Sequence, residues 1–485
     1  MSIRRNLPNA SWSYVGKHRA ATKPRMTTAT VIGLMTLTLA QPLEAAAAPG
    51  LPAGFNRQDA IELPGYGRVP NPDLATLFGR ERPQVPAPEG DRFSAEEQAI
   101  IDKSPLNNFP LAPTRSSAAG TLVSATPTTL MVNHEMWKAD AHQLRYNSTD
   151  STGAASIDSA MLIVPKTEWK GSGPRPLVAI APGTQGSNQA CDPSVSTSTG
   201  VRIQVGPLNI VTPYEVIPMI EHLQRGAAIV IMDHHRNSAG NQEYVDNISS
   251  AQSLLDAAVA VRELGIDEKA PVALYGYSQG GSAVAAAAER AEIYAPELNV
   301  VATAAGGPPS DLSLVLDKID GTILTAAIGM AVNAVLDKDT DLRQVVDGHI
   351  NDAGRTLLET TNDYCVTGLA MHHAFETTNQ YTKSGESLAQ IISGIAPVQT
   401  ELRRQSIGHF KPNAPVFLYT GANDDIIPVE QVRALRDNWT KLGFTDLEYS
   451  EDNTPLLIEK VGVNHVLPML NNLQRANEFL WSHLQ

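Results

Sequence analysis

Two cysteines, nine phenylalanines and five tryptophans in 485 residues leave several chemistries with few residues to carry them. No C-x-x-C pair and no H-E-x-x-H stretch occurs, so the usual zinc frameworks have no support and no metal is expected. Positive charge is also short. The formal net charge is -14, which argues against nucleic acid, because phosphate binding needs a basic surface. Long hydrophobic runs are missing too. Val31 to Ala40 and Gly321 to Leu336 are the notable apolar stretches, and each is too short to span a bilayer as a helix. No repeat of fixed period is visible.

What is present begins with an unusual N-terminus. Arg4, Arg5, Lys17, Arg19, Lys23 and Arg25 form a basic region, followed by the apolar stretch and a small-residue end, EAAAAPG. That order predicts a secretory signal over 1–48, cleaved near Ala47 or Ala48, and hence a protein that is secreted or held in the cell envelope. Removing six basic residues and Glu44 would take the formal charge from -14 to -19. Export also gives Cys191 and Cys365 an oxidising compartment, where two lone cysteines are expected to pair; two buried free thiols are the alternative. The vicinal pairs His234-His235 and His372-His373 are expected on surface or cap loops.

Residues 49–125 are rich in Pro and read as an extension with few regular elements, apart from a helix at Ser94–Lys103 opened by a Ser94/Glu97 capping box. A hairpin follows in LRYNSTDSTGAASIDSAMLIVP. Then short apolar runs alternate with helical stretches: Leu177–Ala181, Ala227–Met232, Val272–Tyr275, Val300–Ala304 and Val416–Thr420 read as strands. This predicts an α/β protein, a mostly parallel sheet with helices on both faces. The sheet domain would run over 126–309 and 407–485, interrupted at 310–406 by an inserted helical cap. In that insertion GTILTAAIGMAVNAVL is apolar nearly all round, as a buried helix or a cavity lining would be.

The chemistry centres on PVALYGYSQGGSAVAAAAERA, a strand, then Gly-x-Ser-x-Gly, then an Ala-rich helix. The pentapeptide alone is weak evidence. Its context is stronger: a nucleophilic Ser on a strained strand-to-helix turn needs the room that Gly276, Gly280 and Gly281 supply. Ser278 then requires a base and an orienting acid, in the chain order Ser, acid, His. TGANDDIIP offers Asp424, with Asp425 as the alternative, at the end of a strand. VGVNHVLPML offers His465, in a loop before a helix with Pro468 in its first turn. The backbone N–H of Gln279 is one expected oxyanion donor, and Thr184 or Gln185 in APGTQGSNQAC the other.

Together APGTQG with a Cys shortly after, GYSQGG, YAPELNVVATAAGGPP, TGANDDIIP and NHVLP resemble the secretory lipase family of α/β-hydrolases. The similarity runs from about Gln143 to the C-terminus. It implies an α/β-hydrolase fold with a helical cap, Ser278, Asp424 and His465 as the triad, Gln185 at the oxyanion position, and no cofactor. It also implies a disulfide joining oxyanion loop to cap, in agreement with Cys191 and Cys365. One stretch departs from the family pattern: in MDHHRNSAG, Asp233 and His234 match but His235 and Arg236 do not. The implied function is a serine carboxylic-ester hydrolase, a lipase or esterase acting on lipid or small-molecule esters, with a lipid–water interface as a candidate setting. An acyltransferase of the cell envelope would use the same residues.

Overall fold

The computed structural model describes residues 60–63, 67–70, 92–131 and 137–485. The expected signal segment and most of the Pro-rich stretch up to residue 91 lie outside the described residues. Within that stretch β1 (Ala60–Leu63) and β2 (Gly67–Pro70) pair antiparallel, which the Pro content had hidden. Helix α1 (Ala95–Asp102) starts where expected. Ser94 Oγ accepts from the Glu97 N–H and Glu97 Oε2 accepts from the Ser94 N–H, so two orphan donors are satisfied reciprocally.

A nine-stranded sheet forms the body. Its antiparallel side is β3 (Leu122–Thr128), β4 (Ala139–Thr149) and β5 (Ala155–Pro165), the last two being the expected hairpin. The chain continues through β6 (Leu177–Ala181), α2 (Pro193–Thr199), a small hairpin of β7 (Arg202–Gln204) and β8 (Asn209–Val211), α3 (Val216–Gln224) and β9 (Ala228–Met232). Next come α4 (Asn247–Ala260), β10 (Val272–Tyr277), α5 (Gln279–Tyr294) and β11 (Val300–Gly306). Seven helices follow without a named strand: α6 (Leu312–Ile319), α7 (Ala327–Leu336), α8 (Thr340–His349), α9 (Asp352–Thr360), α10 (Val366–His373), α11 (Leu388–Ser393) and α12 (Ala396–Gln405). The chain returns to the sheet with β12 (Val416–Gly421), α13 (Val429–Lys441), β13 (Leu447–Asp452) and α14 (Val463–Leu484).

The spatial order is β13-β12-β11-β10-β6-β9-β5-β4-β3, parallel from β13 to β9. Every residue of β6, β9, β10 and β12 is buried, which is why these strands read as unbroken apolar runs rather than alternating ones. Helices α4 and α5 pack together on one face. On the other, Met219 and Leu223 of α3 and Ala476 and Leu480 of α14 join the strand residues Ile180, Ile231, Tyr275 and Phe417 in one core. Connections leave β6 toward β9 and return across to β10, so the direction of winding reverses between β6 and β10. Crevices at such reversals, beyond the strands' C-terminal ends, are where open α/β sheets bind ligands.

Three differences from the sequence reading have simple causes. Strand β13 (LEYSED) was not anticipated because an edge strand need not be apolar, and its residues are only half buried. Helix α14 opens at Val463, so His465 sits in its first turn rather than in a loop, and Pro468 is the sixth helical residue. His234 and His235 are buried rather than on the surface, because polar partners distant in sequence, Ser250 and Asp158, come together around them. His372 and His373 end α10, with His372 exposed and His373 half buried.

Candidate active site

Strand β10 ends at Tyr277 and α5 begins at Gln279, leaving Ser278 alone to turn the chain. Its backbone sits at φ 57° and ψ -122°, a conformation that L-residues rarely adopt and that surrounding structure must enforce. The enforcement is visible: the Ser278 N–H donates to Gly306 O at 2.8 Å, and its carbonyl accepts the Ser282 N–H at 3.0 Å. Close approach requires the flanking glycines. A Cβ on Gly280 would overlap Ala181 O, and one on Gly281 would overlap Gly306 O.

His465 Nε2 lies 2.9 Å from Ser278 Oγ, and His465 Nδ1 lies 2.7 Å from Asp424 Oδ2. The three side chains come from β10–α5, the loop after β12 and the start of α14. Asp424 Oδ1 also accepts the N–H groups of Ile426 and Ile427 at 2.9 and 2.8 Å, which fixes its plane. Its neighbour Asp425 does something different: its two oxygens accept the Gly462 and His465 N–H groups at 2.7 and 3.0 Å. Asp425 therefore holds the N-terminus of α14, while Asp424 alone bonds to the imidazole. Tyr277 completes the frame by donating its hydroxyl to His465 O at 2.6 Å. Burial pulls the His465 pKa down, but the Asp424 carboxylate outweighs it, so the imidazole stays above its ordinary value.

The loop after β6 reaches the same place. Gln185 does not turn its side chain toward Ser278: its Nε2 donates to Glu215 Oε2 at 2.8 Å, and the Gly183 N–H donates to Glu215 Oε1 at 3.2 Å. Burial lifts the Glu215 pKa to about 7. Thr184 bonds Tyr244 through their hydroxyls at 2.9 Å and lines a cavity together with Ser278 and Gln279. Glu215 and Tyr277 were not singled out from sequence, and Asp425 stood there only as the alternative acid, not as the anchor of α14. None has a local motif for the role it plays, and only the folded neighbourhood supplies it.

Cys191 and Cys365 form a disulfide with Cα atoms 5.5 Å apart, linking the segment after this loop to the start of α10. Gly186 and Cys365 are also bridged through their backbones. The MDHHRN stretch braces the loop from the other side. Arg236 donates to Ser187 O at 2.5 Å and to the Asp192 carboxylate, and His234 Nε2 is 2.8 Å from Pro182 O. Burial takes the His234 pKa to about 4. Burial disfavours charge on His235 too, but Asp158 at 2.8 Å reverses this and raises its pKa to about 9.

With this geometry in place the comparisons are specific. The secretory lipase family model matches residues 202–474, more than half of the sequence. The chain belongs to that family. It is 27% identical to lipase 10 of Candida albicans over 323 residues, 64% of this chain and 67% of that one. A secreted triacylglycerol lipase of Malassezia furfur is 25% identical over 313 residues, 63% of this chain and 61% of the relative. A Mycobacterium tuberculosis relative named as a probable inactive lipase is 27% identical over 313 residues, 64% and 68%. The crystal structure of Candida antarctica lipase A aligns with a TM-score of 0.62 at 19% identity, covering 79% of this chain and 87% of that one. The α/β-hydrolase fold is thereby common to both.

In this family member the space beside Ser278 is lined in large part by helices that lie between β11 and β12. Leu312 and Leu316 of α6 and Ala327 and Ala331 of α7 face it, with Ile426 and Ile427 from the loop that carries Asp424. The apolar stretch around α7 is thus both a buried helix and a cavity wall. Among the described residues no helix is long and apolar enough to cross a membrane.

Proposed function

We propose that the protein is an exported serine carboxylic-ester hydrolase that cleaves lipid esters through an acyl-enzyme on Ser278. The observation that carries this reading is the continuous chain Ser278–His465–Asp424, with contacts of 2.9 and 2.7 Å, opening into an apolar cavity. Membership of a family with lipases in it supports the same substrate class. The relative named as inactive makes activity the property to measure.

In the reaction Ser278 Oγ attacks the acyl carbon while its proton passes to His465 Nε2. Asp424 keeps Nδ1 protonated, and so fixes the tautomer that makes Nε2 the base. Charge gathers on the former carbonyl oxygen. The Gln279 N–H at the start of α5 faces it, helped by the positive end of the helix. The second donor is a backbone N–H of the loop after β6, from Thr184, which lines the cavity, or from Gln185, whose bond to Glu215 uses only its side chain. The alcohol leaves with the proton from His465. Water then attacks the acyl-enzyme by the reverse sequence and releases the acid.

Hydrolysis of p-nitrophenyl esters from acetate to palmitate, with wild type beside Ser278→Ala, tests this. Ester cleavage that vanishes in the variant is the expected result. Equal inertness of both on every ester would overturn the proposal.

A further inference from the structure

The cavity beside Ser278 changes character along its length. Ala327, Ala331 and Ala334 of α7 line it at the spacing of one helix face, and that strip leads on to Lys338. From Ala327 to Ala334 the strip runs about 10 Å at 1.5 Å per residue, and Lys338 follows two residues past the end of the helix. At Lys338 the wall becomes charged, with Asp246, Glu401 and Gln405 beside it. Groups at an open mouth meet water, and these do not. The side chains of Lys338, Asp246 and Glu401 are 4%, 2% and 0% exposed, which marks this as a closed end.

The cluster is internally satisfied. Lys338 Nζ donates to Glu401 Oε1 and Ser151 Oγ, each at 3.0 Å, and to the Asp246 carboxylate. Those three acceptors occupy all three N–H groups of the ammonium. Gln405 Nε2 donates to Glu401 at 2.9 Å, and Arg404 holds Glu401 through two further bonds of 2.7 Å. Little donor capacity is left for a polar ligand, so the cluster acts as a wall and not as a receptor. An alkyl chain could pass it only by separating buried ionic partners, which is strongly unfavourable once they are out of water.

We propose that the Lys338–Asp246–Glu401 cluster sets the upper length of the acyl group this cavity accepts, so that esters of short to medium acyl chains are the preferred substrates. This rests on the ester-hydrolase reading above. The test is the ratio of kcat/KM for palmitate over octanoate p-nitrophenyl esters, in wild type and in the charge-balanced double variant Lys338→Met/Asp246→Asn. That variant leaves the Glu401–Arg404 pair intact and keeps a capping side chain at the start of α4, where Asn serves as well as Asp. The wild-type ratio should be about 0.1 or lower, and the double variant should raise it about tenfold. A wild-type ratio near one, or a ratio unchanged in a variant that still cleaves octanoate, would overturn the proposal. If the double variant does not fold, Ala331→Leu decides: it fills the apolar strip without touching the charges. It should lower the octanoate rate relative to butyrate about tenfold, and an unchanged profile would overturn the proposal. Wild type inert on every ester would instead remove the hydrolase reading, and this inference with it.

Discussion

Adjacent carboxylates after β12 have separate work, and the difference is measurable. Asp424→Asn removes the anion that orients His465, and should lower kcat by about 10³- to 10⁴-fold with the fold intact. Asp425→Asn weakens acceptors for two backbone N–H groups at the head of α14, so its main expected effect is on stability, by about 1–3 kcal/mol. Steady-state kinetics and thermal melts on the two variants separate these roles. Reversed results would exchange the assignments. The pH profile follows from the same contact. General base action needs neutral imidazole, and Asp424 keeps the His465 pKa above 6.5, so kcat/KM should fall with acid along a limb centred above that value. At this scale Ser278 was legible because glycines on either side of a serine, after an apolar run, mark a turn too crowded for larger side chains. The sequence favoured Asp424 over Asp425 only through the resemblance, since both stand in the same loop and only the direction of each side chain distinguishes them.

Two strand-to-helix connections and one cross-link hold these residues in register. Gly280→Ala puts a methyl group into the carbonyl of Ala181, so β6 and α5 would have to separate. Loss of soluble folded protein, or of ester cleavage where it folds, is the expected outcome by circular dichroism and assay. The disulfide ties the segment behind Thr184 to α10. Replacing both cysteines by serine should cost about 2–5 kcal/mol of stability, read as a lower melting temperature. An unchanged melt would mean that the neighbouring backbone contacts between Gly186 and Cys365 suffice alone. Elements legible in advance were those with a strong periodic or capping signature: the apolar strands, and α1 with its capping box. Those missed, β3, β7, β8 and β13, are short or lie at edges, where solvent removes the apolar pattern that marks a strand. The α14 start was misplaced because Pro468 was given the first-turn position where proline is most at home, whereas the helix carries it one turn further in.

For the molecule as a whole, the order of strands decides where the chemistry sits. Winding reverses between β6 and β10, and the residues beyond their C-terminal ends include Thr184 and Ser278. The parallel class of the sheet could be read from alternating apolar runs and helices. Its buried ionic contacts could not, because His235 and Asp158 are 77 residues apart and join only when β5 and β9 pair. That contact also gives the fold a pH dependence. The folded pKa of His235 is raised to about 9, above its unfolded value near 6.5, so its contribution is complete below pH 6.5 and is lost as pH rises toward 9. His235→Gln should therefore lower the melting temperature more at pH 6 than at pH 9.5, and an equal loss at both would contradict the charged state.

The most direct test of the central claim is covalent. Wild type and Ser278→Ala are treated with diethyl p-nitrophenyl phosphate, which transfers its phosphoryl group to an activated serine, and the products are mapped by peptide mass spectrometry. One adduct per chain, on Ser278, is the predicted result, with loss of ester cleavage in step with labelling and no adduct in the variant. Labelling at another residue, or full ester cleavage without any adduct at Ser278, would contradict it.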